Sequence, residues 1–136
     1  MNVLIIADDP YVNGAIEKGV HQFDAACTIF EVSSPQEALN LMRAVPMHIV
    51  FSEIDMRQMN GLTFIERHGS FSSKASWVVI SACKNFRDIQ KAIRLGAEDY
   101  LLKPLDESGI YDLLKHRLIH KSNAYAHSVH PCASCT

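Results

Sequence analysis

Apolar runs that read as buried strands alternate with stretches whose apolar residues recur at helical spacing. Val3-Leu4-Ile5-Ile6-Ala7 is a continuous apolar run, and it stops at Asp8-Asp9. An unbroken run of this length, with no polar alternation, is the mark of a strand covered on both faces. Pro10 follows, where the first turn of a helix tolerates proline, and Ile16, Val20 and Phe23 then fall on one helical stripe. Thr28 to Val32 is the next strand, rich in β-branched residues. Ser34-Pro35-Gln36-Glu37 has the form of a capping box with proline at the first helical position. The helix it opens carries Ala38, Leu39 and Met42 on one face and is bounded by Pro46.

The pattern repeats through the rest of the chain. Met47 to Ser52 is a third strand, followed by a loop that closes at Gly61 and a helix with Leu62, Phe64 and Ile65 on its apolar side. Ser76 to Ala82 is a fourth, with Trp77, Val78, Val79 and Ile80. Ile89, Ala92, Ile93 and Leu95 predict a helix stopped by Gly96. Asp99 to Leu102 is the fifth strand, and Ile110, Leu113, Leu114 and Leu118 mark the last helix. Strands and helices in strict alternation imply an α/β fold, a parallel sheet with helices on both faces. Such sheets bind ligands beyond the carboxyl ends of their strands. Asp8, Asp9, Glu53, Ser81 and Lys103 all fall at those ends.

Composition narrows the class without naming a function. The chain has 136 residues, 48% apolar and 21% charged, with a formal net charge of −2, enough for one domain with a real core. Neither this balance nor the sequence pI of about 6.4 suggests a nucleic-acid or membrane surface. No apolar run approaches a membrane span, and no signal peptide is visible. The four cysteines do not read as a disulfide framework, since Cys27 and Cys83 lie in or beside apolar segments. A reducing cytoplasm is the expected compartment. Residues 1–120 are expected to form the domain and 121–136 a flexible tail or linker, without apolar periodicity. The tail contains His127-x-x-His130-x-Cys132-x-x-Cys135, residue types that suit Zn²⁺ and would make a metal-binding regulatory module. The plainer reading is a flexible tail.

With these residues placed, the chain resembles the receiver domain of two-component response regulators. The resemblance covers residues 2 to about 119. It rests on Asp8-Asp9, Met56 with Met59-x-Gly61, Ser81-Ala82 and Gly96-Ala97-x-Asp99-Tyr100-Leu101-x-Lys103-Pro104. The expected fold is a flavodoxin-like (βα)5 doubly wound parallel sheet in the strand order 2-1-3-4-5. A flavin-binding protein of the same topology is set aside, because no Ser/Thr/Gly-rich phosphate loop follows the first strand.

The resemblance implies a phosphorylation switch, in which a histidine kinase donates a phosphoryl group to an aspartate ending the third strand. It implies Mg²⁺ held by Asp9 directly, Asp8 largely through water, the acid at position 53 and the backbone carbonyl of Asp55. It also implies that Lys103 pairs with the phosphoryl oxygens, Ser81 closes on them, and Tyr100 turns inward to report the change. The Lys103-Pro104 peptide is expected to be cis. A homodimer through the fourth helix, fifth strand and fifth helix is implied as well, and a helix-turn-helix DNA-binding output domain if the chain is a piece of a longer protein.

Two residues depart from the family pattern. The phosphoacceptor position is Glu53, and the proline usual after Met56 is Arg57. Glutamate carries its carboxylate about one bond length further, and an ångström-scale displacement can lower an in-line attack by orders of magnitude. A pseudo-receiver is therefore expected, acting by protein interaction and not as a turnover enzyme. Mg²⁺ is expected to be held weakly or not at all, because its octahedron is intolerant of displaced ligands. Glu53 would imitate the phosphorylated state or be family drift, with Arg57 pairing to Glu53 or Asp55. The rival is a working acceptor, through Asp55 if the strand extends that far, or slowly at Glu53. Without their neighbours, Asp8-Asp9 would read as a solvated pair or a helix N-cap, Ser81 as a loop hydroxyl and Tyr100 as a half-buried strand aromatic.

Overall fold

The computed structural model describes residues 1–56, 60–68, 75–82 and 84–124, and residues 117–124 by their backbone alone. Among these are the strands β1 (Asn2–Ile6), β2 (Thr28–Val32), β3 (Ile49–Glu53), β4 (Ser76–Ser81) and β5 (Asp99–Leu102). All pair in parallel, in the order β2-β1-β3-β4-β5. This is the expected flavodoxin-like arrangement. The central strands β3 and β4 are buried throughout, as is β1 after Asn2, which is why their sequences are unbroken apolar runs. The edge strands β2 and β5 are only partly covered.

The strand pleat divides the core in two. Leu4, Ile6, Val50 and Val79 face one side, against α2 (Pro35–Ala44), α3 (Gly61–His68) and α4 (Phe86–Arg94). Val3, Ile5, Phe51, Val78 and Ile80 face the other, against α1 (Pro10–Phe23) and α5 (Glu107–Ala124). The α1–α5 contact is close because residue 19 is glycine: a Cβ there would overlap the side chain of Ile110 and approach the Glu107 carbonyl. Beside it the Phe23 and Tyr111 rings meet edge-on at 6.1 Å.

Local chemistry sets the helix ends. The Ser34 hydroxyl accepts from the Glu37 N–H at 3.2 Å and donates to the Glu37 carboxylate at 3.1 Å, close to the capping box read from sequence. Asn85 caps α4 through the N–H groups of Arg87 and Asp88. At the other end of α4, Gly96 at φ +98° completes a Schellman motif. The Gly96 N–H donates to Ile93 and the Ala97 N–H to Ala92.

Two expectations need correction. β1 stops one residue before Ala7, and β3 runs from Ile49 to include Glu53. Ile93 is not in the core but 64% exposed, and Ala92 is the buried residue of α4. One helical position is a 100° rotation, so seating small Ala92 on the sheet turns its neighbour Ile93 outward. The backbone of α5 is helical to Ala124. Leu118, Cys83 and the His127–Cys135 cluster lie outside the side chains described.

Candidate functional site

Because every strand runs the same way, the carboxyl ends of β1, β3, β4 and β5 open on one edge of the sheet. β1 delivers Asp8 and Asp9, both half-buried. β3 ends at Glu53, only 2% exposed. β4 ends at Ser81, also buried, whose carbonyl accepts from the Lys103 N–H at 2.9 Å. That bond ties the residue after β5 to the adjacent strand, and the Lys103–Pro104 peptide beyond it is cis.

These ends meet at Lys103. Its ammonium donates to Glu53 Oε2 at 2.8 Å and to Asp9 Oδ2 at 3.1 Å. Asp9 is already engaged, for its Oδ1 accepts the Tyr11 N–H at 2.9 Å and caps α1. One carboxylate thus starts a helix with one oxygen and neutralises a lysine with the other. The second oxygen of Glu53 is buried and takes no hydrogen bond among the described residues.

The electrostatics follow from this geometry. Burial disfavours the Lys103 charge, yet the hydrogen bonds and charges of Glu53 and Asp9 outweigh it and hold its pKa above the ordinary 10.5. The Lys103 hydrogen bond, helped by the Tyr11 N–H, holds Asp9 below the ordinary 3.8.

Glu53 is anchored by what lies behind it. The Ile54 N–H bonds Ile80 at 2.9 Å. Gly61, at the start of α3, packs so tightly that a Cβ would overlap the Glu53 carbonyl. Sequence reasoning took Gly61 as a loop end and missed this role. Its signal was the glycine of Met59-x-Gly61 after a strand-end acid, and close backbone approach is one of glycine's uses.

The sequence profile of the response regulator receiver domain matches residues 3–115. The chain belongs to this family. Among relatives of this receiver, the transcriptional regulatory protein MalR of Bacillus subtilis is 32% identical over 78% of the chain and 45% of its own length. The Regulator of RpoS of Escherichia coli is 30% identical over 77% of the chain and 31% of its own length. The chain therefore spans less than half of each. A two-component response regulator from Clostridium difficile superposes with a TM-score of 0.80 over 89% of the receiver and 98% of that chain, at 21% identity. A CheY-like receiver domain protein from Methanospirillum hungatei gives 0.79 over 90% and 96%, at 14% identity. At such identities the likeness is one of fold.

The other expected site residues can now be placed in the receiver. β3 ends at Glu53, and Asp55 beyond it is exposed and bridges Asn60. Tyr100 is half-buried and packs against the core cluster shared by α2, α3 and α4. Arg57 lies outside the described residues. A groove of about 710 Å³ runs outward from Asp9 and Lys103, walled by Tyr11, Lys18, Leu105 and Glu107.

Receiver domains typically use Mg²⁺, which needs near-ideal octahedral oxygen ligands at about 2.0–2.1 Å. The orphan Glu53 oxygen could serve such an ion. The rest of the arrangement does not fit it. The other Glu53 oxygen and the free Asp9 oxygen both point at Lys103, and no cluster of three His, Cys, Asp or Glu among the described residues is arranged to hold a metal. No described helix is long and apolar enough to cross a membrane.

Proposed function

We propose that this receiver is a signalling domain that does not depend on phosphorylation, with Glu53 standing at the phosphoacceptor position. The observation that carries this reading is the 2.8 Å pair between buried Glu53 and Lys103. In the receiver switch the lysine engages the phosphoryl oxygens of a modified aspartate. Here a longer carboxylate reaches the lysine by itself. The same pair engages one of the two Glu53 oxygens, and the longer side chain displaces the other from the geometry that in-line attack needs.

The domain then works by protein interaction in the cytoplasm and not as a turnover enzyme. Its partners are a histidine kinase or another signalling protein, and a second copy through the face of α4, β5 and α5. Phe86, Ile93 and Leu102 stand 70%, 64% and 39% exposed on α4 and β5. Because the relatives are longer, and one is named as a transcriptional regulatory protein, control of transcription through an attached DNA-binding output domain belongs to the same proposal. Residues 1–120 would be the receiver and 121–136 the linker.

Incubation with Mg²⁺ and acetyl phosphate, read by intact mass, tests it. The wild-type mass should not change, and Glu53→Asp should gain one phosphoryl group. Stoichiometric labelling of the wild type would refute the proposal, and loss of that label in Asp55→Asn would locate the acceptor.

A further inference from the structure

We infer that the ammonium of Lys103 is this pocket's own cation and excludes a divalent ion from it. The inference deepens the reading of Glu53 given above and rests on it only for the identity of the pocket. Asp9 follows β1 and Glu53 ends the adjacent β3, both within reach of the Lys103 ammonium, and two carboxylates brought together repel unless a cation compensates them. The ammonium does so with two charge-assisted hydrogen bonds of 2.8 and 3.1 Å. A metal ion bridging the same two oxygens would have to displace it.

Displacement is opposed from three directions. Asp9 cannot swing away freely, because its other oxygen caps α1 through Tyr11. Glu53 cannot withdraw, because it is 2% exposed and its backbone is pinned against Gly61. Lys103 is held at its base by the bond of its own N–H to Ser81. The Glu53 carboxylate meets the lysine so anchored at 2.8 Å. Removing the lysine's charge should therefore create a divalent site from Asp8, Asp9 and Glu53, using the orphan Glu53 oxygen.

Mn²⁺ alone is the probe, followed by electron paramagnetic resonance of the free ion, with circular dichroism of the same samples and no phosphodonor present. Wild-type protein and Lys103→Arg should show no saturable binding that Asp9→Asn removes. Lys103→Met should bind Mn²⁺ more tightly than wild type by at least on the order of tenfold, since a like charge has gone from beside the ion. Lys103→Met/Glu53→Gln should lose that gain. Saturable binding by the wild type that Asp9→Asn abolishes would overturn the inference, and so would a folded Lys103→Met that binds no better. Lys103→Gln, neutral and nearly as long, is the second variant and should show the same gain if Lys103→Met does not fold. Since no phosphodonor is used, the labelling experiment succeeds or fails independently.

Discussion

Asp9 and Lys103 make opposite contributions as pH changes. The folded pKa of Asp9 is depressed, so its contribution to stability is present above the ordinary 3.8 and is lost as pH falls through the lower folded value. The folded pKa of Lys103 is raised, so its contribution is present below the ordinary 10.5 and is lost as pH rises through the higher folded value. Urea denaturation across pH should show both limbs. Asp9→Asn should flatten the acid one and Lys103→Met the alkaline one. Asp9→Ala removes the cap as well, and should lower stability by about 1 kcal/mol more than Asp9→Asn. An acid limb unchanged in Asp9→Asn would mean the ion pair contributes nothing. The acid pair, the glutamate and the lysine were legible as a strand-end set, because residue type and run ends are sequence properties. That Asp9 is shared between a cap and a lysine was not, because the two bonds join residues 2 and 94 positions away.

At the scale of elements, backbone approach sets the tolerances. Gly61 meets the Glu53 carbonyl, and Gly19 meets Ile110 and Glu107. Gly61→Ala should lower stability by about 1–3 kcal/mol or more, since fixed backbone cannot yield as a side chain can. Gly14→Ala, where nothing lies within 4 Å of an added Cβ, is the control in helix α1 and should be neutral or stabilising. Equal denaturation midpoints for Gly61→Ala and Gly14→Ala would show that α3 moves away without loss. Capping signals such as Ser34 and Gly96 were readable because they act within a few residues. The inward face of α4 was not readable to one residue. Ile89, Ala92 and Ile93 all suit a core by type, and only docking against the sheet chose Ala92.

For the whole molecule, the question is whether the Glu53–Lys103 pair reaches the surface formed by α4 and β5. Tyr100 connects them, lying on β5 between the pocket edge and the cluster under α4. A charged pair in a water-poor pocket can bias a two-state packing by roughly a few kcal/mol. Glu53→Gln keeps the shape and removes the charge. It should change the Tyr100 ring environment by NMR and weaken self-association in sedimentation equilibrium. Identical spectra and association in both proteins would leave Glu53 as family drift and the domain as a passive scaffold.

The sequence by itself determined the alternation of strands and helices, the apolar runs of the central strands and the acid, hydroxyl and lysine at their ends. Those follow from local periodicity and from the rule that parallel strands open their carboxyl ends together. Only the tertiary structure decided which oxygen meets which nitrogen, that Glu53 is buried against Gly61, and that β3 stops short of Asp55. Such facts depend on how the elements dock, between residues as far as 50 and 94 positions apart in the case of Lys103, and no local pattern encodes that.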